Sequence, residues 1–82
     1  MLATDRLDVL HREARDGFGG WTFTCGQTAL ISGGGRTYEE SVEAATHAVR
    51  RHLSRRRGYA VGHDQAVRAV RHVRLPARRD AG

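Results

Sequence analysis

Five of the eight residues from Arg50 to Arg57 are arginine, and no other stretch concentrates so many groups able to do chemistry. Clustered guanidinium groups neutralise phosphates and release counterions, which gives salt-sensitive, sequence-independent affinity. Arg50, Arg51, Arg55, Arg56 and Arg57 are therefore the candidate nucleic-acid-binding residues, with Tyr59 close enough to stack on a base. The same residues also suit the end of a helix, where cations oppose the macrodipole and keep a surface solvated.

Other chemistry is less well supplied. His47 and His52 are five apart, so on a helix they point about 140° away from each other, unlike the i, i+4 pair that chelates zinc. His11, His63 and His72 fall on separate segments without an evident carboxylate partner, so the default for all five histidines is a surface or edge-of-core role. Cys25 alternates with Trp21 and Phe23 and packs with them more naturally than it attacks a substrate. Gly33-Gly34-Gly35 before a helix start can hold an anion. Yet the Lys and Ser/Thr of a phosphate loop are missing, and Glu39 and Glu40 crowd the place with negative charge. A two-metal nuclease needs several converging carboxylates, whereas Asp8 and Glu43 read as surface charges. No catalytic, metal or cofactor site is expected, and the chain reads as a binding module, not an enzyme.

The bounds agree. Eighty-two residues, 39% of them hydrophobic and 28% charged, make one domain with one modest core. A lone cysteine, no apolar run long enough to span a bilayer and no signal-like start predict a cytosolic protein without membrane partners. All 14 basic side chains are arginine, a bias that a GC-rich coding sequence explains as well as selection does. Residues 1–45 carry a net charge of −3 and residues 46–82 a net +8, so the basic half can meet phosphate or an acidic protein.

These groups need elements to hold them. The stretch 7–14 fits a strand with Leu7, Val9 and His11 on one face. It also fits a helix with Leu7, Leu10, His11 and Ala14 in a stripe and Thr4 or Asp5 as N-cap, and local pattern slightly favours the helix. After the turn Asp16-Gly17-Phe18-Gly19-Gly20, the alternation Trp21-Thr22-Phe23-Thr24-Cys25 reads as a half-buried strand. Ala29-Leu30-Ile31 reads as its partner, stopping at the three glycines. Thr37-Tyr38-Glu39-Glu40 is a capping box, with the Glu40 carboxylate returning to the Thr37 N–H. It opens a helix whose apolar stripe is Tyr38, Val42, Ala45, Val49 and Leu53 and whose stop is Gly58. Residues 64–75 fit a short helix or a strand over Val70 to Leu75, and a closing strand before Pro76 is the preferred reading. Residues 77–82 read as a flexible basic tail, leaving 1–76 as the domain.

Placed in this order, Arg15-Asp16-Gly17, Gly20-Trp21-Thr22-Phe23, Gly35-Arg36-Thr37-Tyr38-Glu39-Glu40-Ser41 and Arg51-His52-Leu53 resemble the HicB family of antitoxins over somewhat more than half the chain. The family often has a Pro-Asp-Leu-Pro-Gly-Cys-like stretch where this chain has Cys25-Gly26-Gln27-Thr28-Ala29-Leu30. The resemblance implies a partial RNase H-like β-β-β-α-β unit and makes 7–14 the first strand. The expected fold is therefore α+β, a three-stranded antiparallel meander packed on one amphipathic helix, with a fourth strand or short second helix after it. The resemblance further implies an antitoxin, or a stand-alone relative, that binds and occludes a small cognate protein such as an mRNA-cleaving toxin. Open sheet edges also invite homodimerisation. The alternative is a small basic DNA- or RNA-binding module using the Arg50 to Arg57 cluster.

Overall fold

The computed structural model of the protein describes residues 6–14 and 19–76. The turn residues 15–18, the candidate N-caps Thr4 and Asp5, and the tail 77–82 lie outside the described residues. The elements run β1 (Leu7–Glu13), β2 (Trp21–Cys25), β3 (Ser32–Gly35), α1 (Tyr38–Arg57), α2 (His63–Ala69) and β4 (Val70–Arg74). They form a small α+β domain whose four-stranded sheet has the order β3-β2-β1-β4. The first three strands are an antiparallel meander, and β4 lies parallel to β1, with Leu7 opposite Val70 and His11 opposite Arg74.

β1 is a strand, and the alternation of Leu7, Val9 and His11 decides it: all three are buried, while Arg12 and Glu13 are exposed. The competing helical stripe would have buried Leu10 and Ala14 equally, yet both are only partly covered. In β2, Phe23 is buried and Trp21 and Cys25 half-buried, with Thr22 and Thr24 facing out.

The third strand departs from expectation. It runs through Ser32 and the three glycines, not through Ala29-Leu30-Ile31. Ala29 and Leu30 form a turn closed by a bond of 3.1 Å from the Leu30 N–H to Thr28 Oγ1, and Leu30 is 82% exposed, while Ile31 alone enters the core. The physical reason is space. A Cβ on Gly33 would stand 2.9 Å from the Phe23 ring, and one on Gly35 would stand 2.7 Å from the Glu40 Cβ and 2.8 Å from the Ser41 nitrogen. Glycine is a poor strand former in general. Here its missing side chain lets the Phe23 ring and the start of α1 close over the strand.

α1 begins at the expected N-cap, with the Glu40 N–H donating to Thr37 Oγ1 at 3.1 Å. The return bond of the capping box shifts by one residue: Glu40 Oε1 accepts from the Arg36 N–H at 2.8 Å, not from that of Thr37. Gly58, at φ 77°, ends the helix in the left-handed region and donates to the Ser54 carbonyl at 2.9 Å. The buried stripe is Ser41, Ala45, Thr46, Val49 and Leu53, with Tyr38 and Val42 only half-buried. Two hydroxyl residues thus enter the core, and each has a partner. Thr46 Oγ1 donates to the Val42 carbonyl at 2.9 Å. Thr37→Ala is expected to cost about 1 kcal/mol in urea denaturation, since it removes the acceptor of the Glu40 N–H in the first turn.

Both readings of 64–75 hold in succession. α2 follows Gly62, whose N–H donates to Gln65 Oε1 at 2.9 Å, and buries Ala66. The chain then turns directly into β4, with Val70 buried and the neighbouring Arg71 exposed. The core joins Leu7, Val9, Phe23 and Val70 of the sheet to Ile31, Ala45, Val49, Leu53, Val61 and Ala66. No helix among the described residues is long and apolar enough to cross a membrane.

Candidate functional site

The arginine cluster divides in two. Ala48, Arg51, His52, Arg55 and Arg56 recur at the i, i+3, i+4, i+7 and i+8 spacing of one helix face, and together with Leu30 and Ser32 they line an open groove of about 360 Å³. The groove lies between the C-terminal half of α1 and the turn leading into β3. Every charged side chain that lines it is basic. Arg50 is turned elsewhere: its Nε donates to the Val61 carbonyl at 2.8 Å, while Ser54 Oγ accepts from the Val61 N–H at 2.9 Å. Two α1 side chains thereby satisfy both backbone polar atoms of a buried valine, and Arg50 holds the α1–α2 connection in place. Arg57, the last residue of α1, is exposed and is not among the groove-lining side chains, nor is the 56% exposed Tyr59.

β3 reaches the groove through Ser32. It ends the sheet order, so its outer edge has no strand partner among the described residues. Three of its four residues are glycine; Ser32, Gly33 and Gly34 are exposed, and Gly35 is partly covered.

No family model, characterised protein or solved structure matches this chain.

A second constellation was not anticipated. His11 is wholly buried at 0% exposure, and both ring nitrogens are engaged: Nδ1 lies 2.7 Å from Ser41 Oγ and Nε2 lies 2.8 Å from His72 Nδ1. A neutral imidazole has one donor and one acceptor, so the chain Ser41–His11–His72 runs in one direction or the other and satisfies every member. Around it, the His11 ring meets Phe23 at 5.8 Å and the edge of Tyr38 at 5.2 Å. Arg74 places its guanidinium 5.0 Å from the Trp21 ring centre and 4.8 Å from that of Tyr38. Four elements, β1, β2, α1 and β4, are tied together at this end of the sheet. Burial, and secondarily the neighbouring His72, lowers the His11 pKa from 6.5 to about 4; burial also lowers that of His72. Ser41 is likewise sealed at 0% exposure, so its hydroxyl faces a histidine and not a substrate.

A signal for this relay existed in the sequence. Reading 7–11 as a strand puts His11 on the face of Leu7 and Val9, and a buried histidine needs partners. His47 and His63 are exposed and His52 is half-buried at the groove.

The remaining candidates have structural employment. Asp8 Oδ2 accepts from Gln27 Nε2 at 3.2 Å, and Gln27 Oε1 accepts from the Asp8 N–H at 2.9 Å and from Cys25 Sγ at 3.5 Å. These bonds fasten the β2–β3 loop to the start of β1. At the glycine run, the Arg36 N–H before the helix is occupied by the chain's own Glu40 carboxylate. Among the described residues, no group of three or more His, Cys, Asp or Glu side chains is placed to hold a metal ion.

Proposed function

We propose that this chain is a HicB-like binding module, with the outline of a partial RNase H domain, that neutralises a small cognate protein, an mRNA-cleaving toxin, by covering it. The observation that carries the reading is the β-β-β-α-β succession in a sheet of order β3-β2-β1-β4, with β4 returning parallel to β1 after the helical crossover. That is the outline the sequence resemblance calls for, and α2 adds one short helix to the crossover. The sheet ends in β3 on one side and β4 on the other, and among the described residues neither outer edge has a strand partner, which supports main-chain pairing with another protein. Occlusion by pairing and contact asks no chemistry of the residues, and the buried, internally satisfied polar groups of this domain are consistent with that. The test is coexpression with the product of the adjacent reading frame. That product alone should arrest growth and degrade mRNA. With this protein it should be silent and should elute as one complex. A harmless neighbour, or a toxic one that ignores this protein, rejects the proposal.

Arg51, Arg55 and Arg56 on one helix face favour a second reading, a basic module that binds DNA or RNA. It predicts affinity for a mixed-sequence oligonucleotide that falls steeply with salt. Replacing the three arginines by alanine should flatten the dependence, each lost phosphate contact lowering the log–log slope by about 0.7 to 0.9.

A further inference from the structure

We propose that the groove between α1 and β3 is a docking site for an acidic, extended peptide segment of a partner protein, which adds to the free edge of β3 as a further strand. The inference rests on the protein-binding reading above and specifies the chemistry of the partner.

Three observations join at Ser32, the one residue of β3 that lines the groove. Among the described residues the outer edge of β3 is unpaired, and three of its four residues are glycine, so Ser32 alone brings a side chain to an incoming strand. Edges of this kind are ordinarily guarded by lysine, proline, a bulge or shortness, and β3, four residues long, has only the last of these within the strand. Where the groove reaches the start of β3 at Ser32, Arg51, Arg55 and Arg56 supply three guanidinium groups with no acidic side chain among the groove's lining residues. Guanidinium forks match carboxylates in a bidentate manner and keep their charge at any working pH. The third observation is Leu30, 82% exposed at the mouth of the groove with Ala48 on its wall, which offers an apolar seat for a side chain between the acids. A strand presents its side chains alternately, so a segment alternating acidic and apolar residues meets arginine and leucine in turn.

The edge and the apolar seat favour a peptide over a nucleic acid. A phosphate backbone has acceptors but no donors to complete a strand ladder. No aromatic side chain lines the groove to stack a base. Pairing of two copies through β3 is disfavoured by the same guanidinium groups, which would face their equivalents across a two-fold axis.

The experiment uses a fluorescent peptide alternating glutamate with valine, titrated with the whole protein and followed by anisotropy. It should bind, and its lysine–valine counterpart should not. Blocking alternate backbone amides by N-methylation should abolish binding while leaving charge and side chains unchanged. The exposed pair Arg51→Ala and Arg55→Ala should weaken binding about tenfold or more, equivalent to losing two charged contacts of about 0.7 kcal/mol each. Circular dichroism matching that of the parent shows that this variant still folds. Equal binding of the lysine peptide or of the N-methylated peptide overturns the proposal. So does an oligonucleotide that binds the groove with a steep salt dependence while the peptide does not, or a concentration-dependent dimer that the double variant dissociates. Neutralisation of a toxin by coexpression while the peptide fails to bind removes this inference alone. Peptide binding with the stated sensitivities and no neutralisation keeps the groove and removes the antitoxin reading.

Discussion

Gly34→Ala is expected to destabilise the domain by about 3 kcal/mol or more, a large part of the roughly 5 to 10 kcal/mol that holds a domain of this size. A Cβ at this position would overlap the Trp21 carbonyl oxygen, and it would also lie 3.2 Å from the Trp21 carbonyl carbon and 3.3 Å from the Thr22 Cα. All three are backbone atoms of the paired strand, so no rotamer change can relieve the contact. Relief requires β2 and β3 to separate, with loss of the pairing from Trp21–Gly35 to Thr24–Ser32. Backbone strain is not the cause, because Gly34 is not among the glycines at positive φ. Gly26→Ala is the matched control: its Cβ would meet nothing nearer than the Asp8 carbonyl oxygen at 3.8 Å. Its expected cost is within about 0.5 kcal/mol. Urea denaturation of the two variants beside the parent checks the difference, and equal midpoints would dismiss the steric account of the glycine strand.

Acidification is expected to produce the other large effect. In the folded protein His11 takes up a proton only near pH 4, whereas in the unfolded chain it does so near 6.5. As pH falls through that window the unfolded state binds a proton that the folded state refuses, so stability present above pH 6.5 is progressively lost until about pH 4. At about 1.4 kcal/mol per pH unit the loss approaches roughly 3 kcal/mol, and lowering of the His72 pKa acts in the same direction. The groups facing the pair make a protonated His11 expensive. α1 contributes the uncharged Ser41 and Tyr38, β2 contributes Phe23, and β4 contributes His72 and the cationic Arg74 nearby, stacked on Tyr38. No carboxylate is among these neighbours. Urea midpoints measured across the window should decline with pH in the parent. His11→Leu should lower stability at neutral pH by about 1 to 3 kcal/mol, because Ser41 and His72 lose a buried partner, yet decline less steeply on acidification. An equal decline in parent and variant would assign the effect elsewhere.

Legibility in the sequence followed how local the deciding physics is. The helix from Thr37 to Gly58 was readable because its cap, its charge gradient and its left-handed stop are each written in a few adjacent residues. β2 was readable from strict alternation between Trp21 and Cys25. β3 was not, because three glycines carry no hydrophobic pattern; their fitness for a strand depends on Phe23 and Glu40, which the chain brings up from either side. β1 required the family resemblance to outweigh a helical stripe, since a seven-residue segment satisfies both periods and only tertiary burial separates them. The arginines were visible as a cluster, but helical phase divided them. Arg50 lies on the side of the α1–α2 connection, while Arg51, Arg55 and Arg56 lie on the side of β3. The Ser41–His11–His72 relay spans three elements that meet only in the folded sheet, so spacing along the chain concealed it.

The parallel pairing of β4 with β1 bears on the order in which the protein can be assembled during synthesis. β1 leaves the ribosome before the other described elements and sits inside the finished sheet, yet one of its two neighbours, β4, is the last of the described elements to follow. The hairpin and α1 can be complete while the Leu7–Glu13 strand still has a bare edge awaiting Val70–Arg74. Such long-range closure slows folding relative to a protein of local contacts. A nascent chain interrupted before Val70 carries that uncovered edge, with Leu7 and Val9 on the strand, and is open to pairing with its neighbours on the same message. Commitment to this sheet therefore waits for β4.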